Sequence, residues 1–342
     1  MAKKVYIIIL NWNGLNDTLE CLDSVYRLNY PHFEVIVVDN GSSDGSVVNI
    51  GTKFPQVILI ENNKNLGYTG GNNIGMRHAL ELGGDYVWLL NNDTVVMPDT
   101  LAKLVHEAEK YPETGLVSPV VRYYDNPDKV QFEGSYVEFA TFSLNHVLDR
   151  NELNNKQVQR NLLVWGTALL IKRSVIESIG YLSDKYFAYA EDTDYCLRAR
   201  RKNFRVKVRL DASILHKVSR SIGKKSPAQV FLRTRNAYFV WSDNVPGVRR
   251  FFVPSHYVGM VINHARLLLE ENNENGFDAC LNGFWAALKG RGGAYDPTII
   301  IPLWLKAVFS FFVTWHPYFW INLFKCNMRS MALAACRRTG LI

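Results

Sequence analysis

Apolar residues in the first third of the chain occur in short continuous runs rather than in alternation with polar residues. The runs that predict strands are VYIIIL (5–10), FEVIVVD (33–39), VILIEN (57–62), YVWLLNND (86–93) and LVSPVV (116–121). Between most of them lie segments with the apolar period of a helix, such as 15–28 and 98–111. Continuous Val, Ile and Leu runs separated by helices are typical of a largely parallel sheet that helices cover on both faces.

Asn, Asp and Gly residues follow four of these strands at the point where each strand ends. The segments are NWNG (11–14), DNGSSDG (39–45), NNKNLG (62–67) and NND (91–93). Ligands of parallel sheets bind in a crevice at the carboxyl ends of the strands. The same residue types are common in turns and helix caps, and one of Ser42, Ser43 and Asp44 is expected to cap the next helix. Asp39 and Asp93 each close an apolar strand where no cap is obviously required, which favours a functional role for both.

The glycine pattern excludes two classes of nucleotide-binding protein. A dehydrogenase carries Gly-x-Gly-x-x-Gly directly after the first strand, and this turn, NWNGLN, has one glycine. The later stretch 67–75, GYTGGNNIG, has neither that spacing nor the Gly-Lys-Ser/Thr of a P-loop. The sequence therefore predicts neither a dinucleotide-binding dehydrogenase nor a P-loop protein.

Composition bounds the size and the environment of the fold. The chain has 342 residues, 48% of them hydrophobic and 21% charged, enough for a large core in one domain with an addition, or in two domains. Its five cysteines are scattered without a Cys-x-x-Cys pair, so neither a zinc site nor a disulfide framework is indicated and a reducing cytoplasm fits best. The apolar stretch near the N-terminus has six residues, too few for a signal peptide.

The net charge of +7 hides an asymmetry along the chain. Residues 1–200 carry 18 Lys and Arg against 25 Asp and Glu, a net charge of −7, whereas residues 201–342 carry 21 against 7, a net charge of +14. A basic, aromatic-rich C-terminal part suits nucleic acid or the anionic cytoplasmic surface of a membrane. The alternative is a solvated basic face.

Five ordered motifs resemble a known enzyme family. They are NWNG after the first strand, VVDNGSSDGS, NLGYTGGNN, LLNNDT, and WGTALLIKR followed by FAYAEDTDYCLRARRKNFRV. This combination is similar to the inverting family 2 glycosyltransferases of the GT-A fold, and most similar to their bacterial rhamnosyltransferase-type members. The resemblance covers residues 4–220. It implies an α/β, Rossmann-like catalytic domain with a mostly parallel sheet and helices on both faces.

The resemblance implies which residues bind the donor. Asp39 would accept the N–H of a pyrimidine base, and Asn11 and Asn13 would lie beside the base and the ribose. The glycines of GYTGGNN would let the backbone approach the donor closely, although Asn72 and Asn73 fit the polar start of a helix equally well. The implied donor-binding residues are Asn11, Asn13, Asp39, Asn40, Gly71, Asn72, Asn91, Asn92, Trp165, Arg233 and Arg235.

A divalent cation, Mn²⁺ or Mg²⁺, is implied at Asp93, which corresponds to the second acid of the family's Asp-x-Asp motif. The cation would bridge oxygens of the leaving diphosphate. The first acid of the motif is Asn91 in this sequence, and an amide oxygen is a weaker ligand than a carboxylate. His216, at the end of the strand-like stretch 205–215, resembles the histidine that completes the metal site in some relatives, and imidazole suits Mn²⁺ better than Mg²⁺.

The segment YAEDTD (189–194) resembles the family's catalytic segment. Acids in a first helical turn also complement the helix dipole, which is the role we expect for Asp194. The resemblance assigns Asp192 as the base that takes a proton from the acceptor hydroxyl, with Glu191 bonding the acceptor or adjusting the pKa of its neighbour. Trp165 would stack on a sugar face, or else belong to the core.

Beyond about residue 222 the resemblance thins. Arg233 and Arg235 are candidates to bind a diphosphate of the donor or of a lipid-linked acceptor. The Gln-x-x-Arg-Trp of processive relatives is absent, which disfavours a processive synthase. The apolar stretch 298–324 is interrupted by proline, lysine and histidine, so it favours an interfacial hairpin or an oligomer contact over a membrane span, with a plain helical core as the alternative.

These observations predict a catalytic domain over residues 1–222 and a basic, helical extension over residues 223–342. We expect an enzyme that moves a sugar, first of all rhamnose, from a dTDP- or UDP-linked donor to a hydroxyl of a lipid-linked or polysaccharide acceptor. It would be cytoplasmic and associated with the inner membrane surface, would not bind nucleic acid, and could form a homodimer. The alternatives are a sugar-nucleotide pyrophosphorylase, which would usually carry a glycine-rich basic loop after strand one, and a catalytically silent glycan-binding scaffold.

Overall fold

The structure, a computed structural model, describes residues 2–217 and 226–315 in two compact units. As far as they are described, one unit comprises Met1–Tyr136 with Asn145–Ser221 and the other comprises Val137–Leu144 with Ile222–Ile342. The predicted domain boundary after residue 222 lies outside the described residues. The short segment Val137–Leu144 belongs to the second unit although it is flanked on both sides by the first.

The first unit contains both strands and helices, and the elements described after residue 226 are all helices. The strands are β1 (Val5–Asn11), β2 (Phe33–Asp39), β3 (Ile58–Glu61), β4 (Tyr86–Asn91), β5 (Thr94–Val96), β6 (Thr114–Tyr123), β7 (Val130–Phe132), β8 (Ser135–Glu138), β9 (Ser143–His146), β10 (Leu162–Leu163), β11 (Ala168–Lys172) and β12 (Arg205–His216). The α-helices are α1 (Leu15–Val25), α2 (Ser46–Lys53), α3 (Gly67–Glu81), α4 (Thr100–Lys110), α5 (Lys156–Asn161), α6 (Arg173–Ile179), α7 (Glu191–Arg201), α8 (Pro227–Asn244), α9 (Val253–Glu270), α10 (Glu274–Leu288) and α11 (Leu303–Trp315). Two 3₁₀ helices span Arg150–Asn154 and Gly247–Phe252.

The main sheet has the strand order β3-β2-β1-β4-β11-β6-β12-β5, and β7 pairs with β6. Neighbours from β3 to β4 are parallel, as are β6 and β12. The predicted mainly parallel α/β sheet is confirmed, with β11 inserted antiparallel between β4 and β6 and β5 antiparallel to β12. The register pairs Asn11 with Asp39 and Leu10 with Asn91, so three strands end at the same level of one edge.

The buried sides of the central strands explain the continuous apolar runs. Ile7 and Ile9 on β1, with Trp88 on β4, are fully buried in the core cluster that α1 and α4 cover. The opposite face of β1 presents Ile8 and Leu10 to α3. Helices on both faces leave no exposed side for polar residues, and this is why the strands do not alternate.

The glycines of GYTGGNNIG lie inside α3 and bring this helix close to β1. A Cβ atom on Gly71 would lie 2.2 Å from Leu10 Cδ1, and one on Gly75 would lie 2.6 Å from Ile8 Cγ2. Both distances are far below van der Waals contact. The glycines therefore pack the helix against the strand, and close approach of the donor to their backbone stays a prediction.

The second unit is a helical assembly in which α8 packs against α9 and α10. A Cβ atom on Gly283 of α10 would lie 2.6 Å from the carbonyl oxygen of Phe231 on α8, so these two helices approach closely. Phe142 of the short segment 137–144 stacks on His256 of α9 with ring centroids 5.0 Å apart. No helix among the described residues combines the length and apolar content that a bilayer crossing requires. Residues 316–324 of the predicted interfacial segment lie outside the described residues.

The close approach of α3 to β1 predicts opposite effects for two helical glycines. We expect Gly75→Ala to lower the free energy of unfolding by about 1–3 kcal/mol, because Ile8 is β-branched, fully buried and unable to move aside. Gly51→Ala in α2 is the matched control, because its nearest neighbour, Leu59 Cδ2, lies 3.9 Å away. Better helix propensity should leave that variant neutral or more stable by up to about 1 kcal/mol. Urea denaturation measures both changes, and equal effects of the two substitutions would contradict this packing.

Candidate active site

The carboxylate of Asp39 organises the loop that follows β2. Its Oδ1 accepts the backbone N–H groups of Gly41 and Ser42 at 3.1 and 2.8 Å, and its Oδ2 accepts Asn11 Nδ2 at 2.7 Å. The side chain is 1% exposed. A carboxylate held by three donors keeps its position, and further lone pairs remain on its oxygens for a ligand N–H.

Asn11 links the ends of three strands through its side-chain amide. Besides bonding Asp39, its Nδ2 donates to Ser42 Oγ at 3.1 Å, and its Oδ1 accepts from Thr18 Oγ1 at 2.8 Å. Asn92, after β4, donates its Nδ2 to Thr18 Oγ1 at 2.9 Å and lies 3.4 Å from Asn11 Oδ1. Gly14 makes room for this, because a Cβ atom there would lie 2.5 Å from Asn92 Nδ2. The polar strand ends thus form one bonded group.

Asn13 and Asn40 shape the two loops beside this group. Asn13 is exposed, has a positive φ of 49°, and accepts the backbone N–H of Ser43 at 2.8 Å. Asn40 is buried and donates to Asn65 Oδ1 and the carbonyl oxygen of Gly67, while its own Oδ1 accepts from Asn62 Nδ2. Its amide therefore joins the loops after β2 and β3.

Two further amides lie in α3. Asn72 donates to the carbonyl oxygen of Tyr68 at 2.9 Å within the helix. Asn73 donates to the carbonyl oxygen of Leu182 at 2.9 Å and to Asp184 Oδ1 at 3.0 Å. Both are buried, which agrees with the alternative that they are structural residues of the helix. A donor contact of Asn72 or Gly71 stays a prediction.

Asp93 and His216 lie together at the edge of the sheet. Asp93 Oδ1 is 3.3 Å from His216 Nε2, and both residues are buried, at 8% and 7% exposure. Gln131 Oε1 is 2.9 Å from His216 Nδ1 and fixes the ring. His216 Nε2 makes no hydrogen bond with any described residue. Antiparallel pairing of β12 with β5 at His216 and Thr94 produces this approach.

This pair fits two of the ligands of a divalent cation. Two neighbouring ligands, each about 2.1 Å from a cation in octahedral geometry, lie about 3 Å apart. The observed 3.3 Å agrees with that spacing, and the buried Nε2 lacks a partner that a cation would supply. Within residues 2–217 and 226–315, no group of three His, Cys, Asp or Glu side chains is placed to hold a metal. Among the described residues, further ligands would be backbone or amide oxygens, beside water or oxygens of a substrate. Asn91, partly buried at the end of β4, lies two residues before Asp93.

Trp165 packs within an aromatic group of the first unit. Its ring stacks on Phe132 with centroids 3.9 Å apart and an interplanar angle of 11°, and the edge of His146 approaches both rings. One face of the indole is therefore covered by protein. This agrees with the alternative that Trp165 is a packing residue, and stacking on a sugar stays a prediction for its other face.

The start of α7 has an unusual backbone. Tyr189 and Ala190, consecutive residues with side chains, have φ values of 70° and 73° in the left-handed region. Such conformations cost of order 1 kcal/mol or more each and persist where the surrounding structure imposes them. They turn the chain so that Glu191 and Asp192 occupy the first turn of the helix.

Glu191 and Asp192 have different surroundings. Glu191 is 6% exposed, and its Oε2 makes no hydrogen bond with any described residue. Burial, and secondly the neighbouring Asp192, raise the pKa of Glu191 to about 8. Burial also raises the pKa of Asp192, but its oxygens accept the N–H groups of Gly166 at 3.0 Å and Thr193 at 2.6 Å, which favour its charged form. Burial therefore favours the protonated form more strongly on Glu191 than on Asp192, whose charged form has backbone donors.

Asp194, on the same helical turn, has the structural role expected of it. It is 2% exposed and accepts a bond from Arg198 Nε at 2.8 Å. Arg198 also donates to the carbonyl oxygens of Ile179 and Tyr181. This buried ion pair fixes α7 against the preceding chain.

Arg233 and Arg235 belong to the helical unit. Arg233 is exposed on α8, whereas Arg235 is 0% exposed and donates to the carbonyl oxygens of Gly293 and Ala294 and to Asn236 Oδ1. Those bonds favour a structural role for Arg235. Diphosphate binding by either arginine stays a prediction.

Sequence reasoning missed two groups in the first unit. Lys217 Nζ lies 2.6 Å from both Asp17 Oδ1 and Glu20 Oε2, and so joins the end of β12 to α1. Tyr68 Oη donates to the carbonyl oxygen of Gly166 at 2.7 Å. Neither contact leaves a local signal, because the partners are about 100 or more residues apart.

The chain is similar in sequence to a known family and to individual glycosyltransferases. Residues 6–180, more than half of the chain, match the sequence model of glycosyl transferase family 2. A low-salt glycan biosynthesis hexosyltransferase of Haloferax volcanii is 30% identical over 212 residues, which are 60% of this chain and 64% of that protein, just under two thirds of its length. An N-acetylglucosaminyl-diphospho-decaprenol L-rhamnosyltransferase of Mycobacterium tuberculosis is 25% identical over 62% of this chain and 76% of its own.

Among solved structures, a mannosyltransferase from Pyrobaculum calidifontis in complex with GDP-Man and Mn²⁺ has a TM-score of 0.54 to this protein. It is 20% identical, and the superposition covers 98% of this chain and 87% of that one. At that identity the likeness shows the fold alone. The sheet order, the polar strand ends and the family match agree, and the chain therefore belongs to glycosyl transferase family 2 and has the GT-A fold.

Proposed function

We propose that this protein is an inverting glycosyltransferase that moves a sugar from a nucleoside diphosphate to a hydroxyl of a lipid-linked or polysaccharide glycan. The observation that carries the proposal is the carboxylate pair at the start of α7. Two backbone N–H groups hold Asp192 and favour its charged form, whereas burial raises the pKa of its neighbour Glu191 to about 8. A general base needs to be ionised, positioned and accessible, and Asp192 is partly exposed.

The donor in this proposal is dTDP-L-rhamnose, with a UDP-sugar as the second choice. Asp39 accepts the imide N–H that thymine and uracil share. Asn11, Gly41 and Ser42 hold the Asp39 carboxylate in position for this bond. Rhamnose and a diphosphate-linked lipid acceptor are supported by the name of the mycobacterial relative. Asn13 and Asn92 border the same strand edge and are the residues we assign to the ribose and diphosphate.

The reaction proceeds in one displacement. Asp192 takes the proton of the acceptor hydroxyl while the hydroxyl oxygen bonds to C1 of the sugar. The bond between C1 and the diphosphate oxygen breaks on the opposite face, and the nucleoside diphosphate leaves with the electron pair. Glu191 is buried beside Asp192, and burial favours its neutral form, so that two adjacent anions are avoided while Asp192 acts as the base. Because the attack comes from the rear, the configuration at C1 is inverted.

Asp93 and His216 would hold Mn²⁺ or Mg²⁺ in this proposal. A cation bound there would neutralise charge that develops on the departing diphosphate. Asp93 supplies the negative charge, and Gln131 holds the His216 ring with Nε2 turned to the site. Mn²⁺ is the better fit, because one ligand is an imidazole nitrogen.

We also propose that α11 docks on an anionic membrane surface. One side of this helix exposes Leu303, Trp304, Ala307 and Val308, at the spacing of a single helical face. The other side carries Phe309, whose ring meets Phe284 of α10 at 4.8 Å. In the sequence that follows α11, residues 316–342 contain four Lys and Arg and no Asp or Glu. Exposed apolar residues next to a purely basic sequence favour anionic lipid over a second protein copy.

Replacement of Asp192 by Asn tests the base. We expect kcat for sugar transfer to fall by about 10²- to 10⁴-fold, because the amide cannot take the proton. The KM for the donor should change little. Asp23→Asn is the control and should transfer normally. Asp23 is a half-buried acid of α1 that pairs with Lys53 of α2. Released nucleoside diphosphate and the glycan product are both measured over a panel of nucleotide sugars. Full transfer by Asp192→Asn would overturn the assignment.

Removal of either metal ligand tests the cation site. We expect Asp93→Ala and His216→Ala each to weaken Mn²⁺ binding in the presence of dTDP by about tenfold or more, since the pair would be left with one protein ligand. Electron paramagnetic resonance of Mn²⁺ reports binding without reference to activity. His78→Ala is the matched control, because His78 pairs with Glu81 at 3.8 Å on an exposed helix face. Unchanged Mn²⁺ affinity in both site variants would show that the diphosphate is neutralised by other groups.

The membrane proposal predicts a charge-dependent association with lipid. We expect Trp304→Glu to lower co-sedimentation with phosphatidylglycerol vesicles by at least about tenfold, because it places a negative charge in the apolar stripe facing an anionic surface. Val48→Glu replaces a residue of similar exposure in the first unit, 71% against 67%, and should bind vesicles as the unaltered protein does. High salt should weaken binding further. A change of oligomeric state by Trp304→Glu with vesicle binding unaltered would instead identify the stripe as a subunit contact.

A further inference from the structure

Gly166 is bonded through both of its backbone polar groups to residues of other elements. Its N–H donates to Asp192 Oδ2 at 3.0 Å, and its carbonyl oxygen accepts from Tyr68 Oη at 2.7 Å. Tyr68 lies in the first turn of α3, and Asp192 lies in the first turn of α7. A chain of two hydrogen bonds therefore connects the tyrosine hydroxyl to the carboxylate through one residue.

The position of Gly166 leaves no space for a side chain. A Cβ atom there would lie 2.5 Å from Tyr68 Oη and 3.1 Å from its Cζ. The tyrosine hydroxyl thus occupies the volume that a side chain would need, and it limits how the backbone of this residue can rotate. Without such a contact, a glycine backbone can adopt more conformations than that of any other residue type.

The Gly166 N–H is the contact that aligns Asp192 from outside its own helix. The other oxygen of the carboxylate, Oδ1, accepts from the N–H and the hydroxyl of the adjacent Thr193. Those bonds are local to the turn and move with it. The bond from Gly166 fixes the plane of the carboxylate relative to the sheet, because Gly166 lies two residues before β11.

The tyrosine remains a donor throughout the working pH range. Burial, and then the charges of Glu191 and Asp192, raise the pKa of Tyr68 well above its usual value. The hydroxyl therefore keeps its proton next to the carboxylate pair. Its bond goes to a carbonyl oxygen, so it neither donates to Asp192 directly nor takes part in proton transfer.

We propose that Tyr68 is a positioning residue that aligns the Asp192 carboxylate by fixing the backbone of Gly166. This inference rests on the proposed function, in which Asp192 is the base. A carboxylate that is free to rotate spends part of its time with no lone pair directed at the acceptor hydroxyl, and misplacement of a catalytic group slows the chemical step. Substrate binding does not depend on that alignment.

Tyr68→Phe removes only the hydroxyl, and Tyr195→Phe provides a matched control. Tyr195 is fully buried whereas Tyr68 is half-buried, and Tyr195 likewise donates to a glycine carbonyl oxygen, that of Gly180 at 3.1 Å. Tyr195 lies on α7 with Asp192, but Gly180 does not bond the Asp192 carboxylate. We expect both variants to show a similar small decrease in melting temperature, but only Tyr68→Phe to lower kcat, by about threefold to tenfold, with the KM of donor and acceptor within about twofold.

A double-mutant cycle separates positioning from general loss of stability. In the Asp192→Asn background, Tyr68→Phe should leave the residual rate unchanged, since no base is left to align. Gly166→Ala should lower kcat in the unaltered protein, and its effect should be smaller with Tyr68→Phe, which removes the 2.5 Å contact.

Three outcomes would overturn the proposal: unchanged kcat in Tyr68→Phe, an equal kcat loss in Tyr195→Phe, or an undiminished effect in the Asp192→Asn background. Failure of the proposed function is recognised separately. It would appear as full transfer by Asp192→Asn alone, whatever the effect of Tyr68→Phe.

Discussion

The strand-edge site depends on the hydrogen bonds that the side-chain amide of Asn11 makes. It bonds Asp39 at the end of β2 and Thr18 in α1, and Thr18 in turn bonds Asn92 after β4. Parallel strands bring these residues to one level, but polar groups buried there would be costly without partners. A single amide offers both a donor and an acceptor, so it can satisfy a carboxylate on one side and a hydroxyl on the other. The crevice is thereby shaped before any ligand arrives.

The carboxylates at this end of the sheet differ because their hydrogen-bond partners differ. Asp39 and Asp192 each accept backbone N–H groups, whereas Glu191 is buried with one oxygen lacking a protein partner among the described residues. Desolvation opposes ionisation, and backbone donors favour it. Adjacent acids thereby acquire different protonation states at one pH, which is the arrangement that acid and base roles require. The left-handed backbone at Tyr189 and Ala190 is what places that pair at the helix start.

Local patterns predicted much of this architecture. The runs 5–10, 33–39 and 86–93 became β1, β2 and β4, and the prediction of a mainly parallel sheet was correct. Asp93 and His216, which the resemblance assigns to one metal site, lie 3.3 Å apart. Packing roles were not predictable, because they depend on partners distant in sequence. Gly71 meets Leu10, Trp165 meets Phe132, and the arginine at position 235 meets a carbonyl more than 50 residues away. The types of these three residues alone are as consistent with contacts to a ligand as with packing.

The replacement of an acid by Asn91 changes the charge of the proposed cation site, not only its ligand count. In the proposed site Asp93 would supply one negative charge, and His216 would bind through a nitrogen lone pair without adding charge, so a divalent cation would keep one positive charge for the diphosphate. A second carboxylate would cancel that charge and would bind the cation more firmly without substrate. With two protein ligands, a cation would enter together with the nucleotide, whose diphosphate would supply further oxygen ligands. Such a site would bind the cation weakly at rest and would attract the leaving group more strongly.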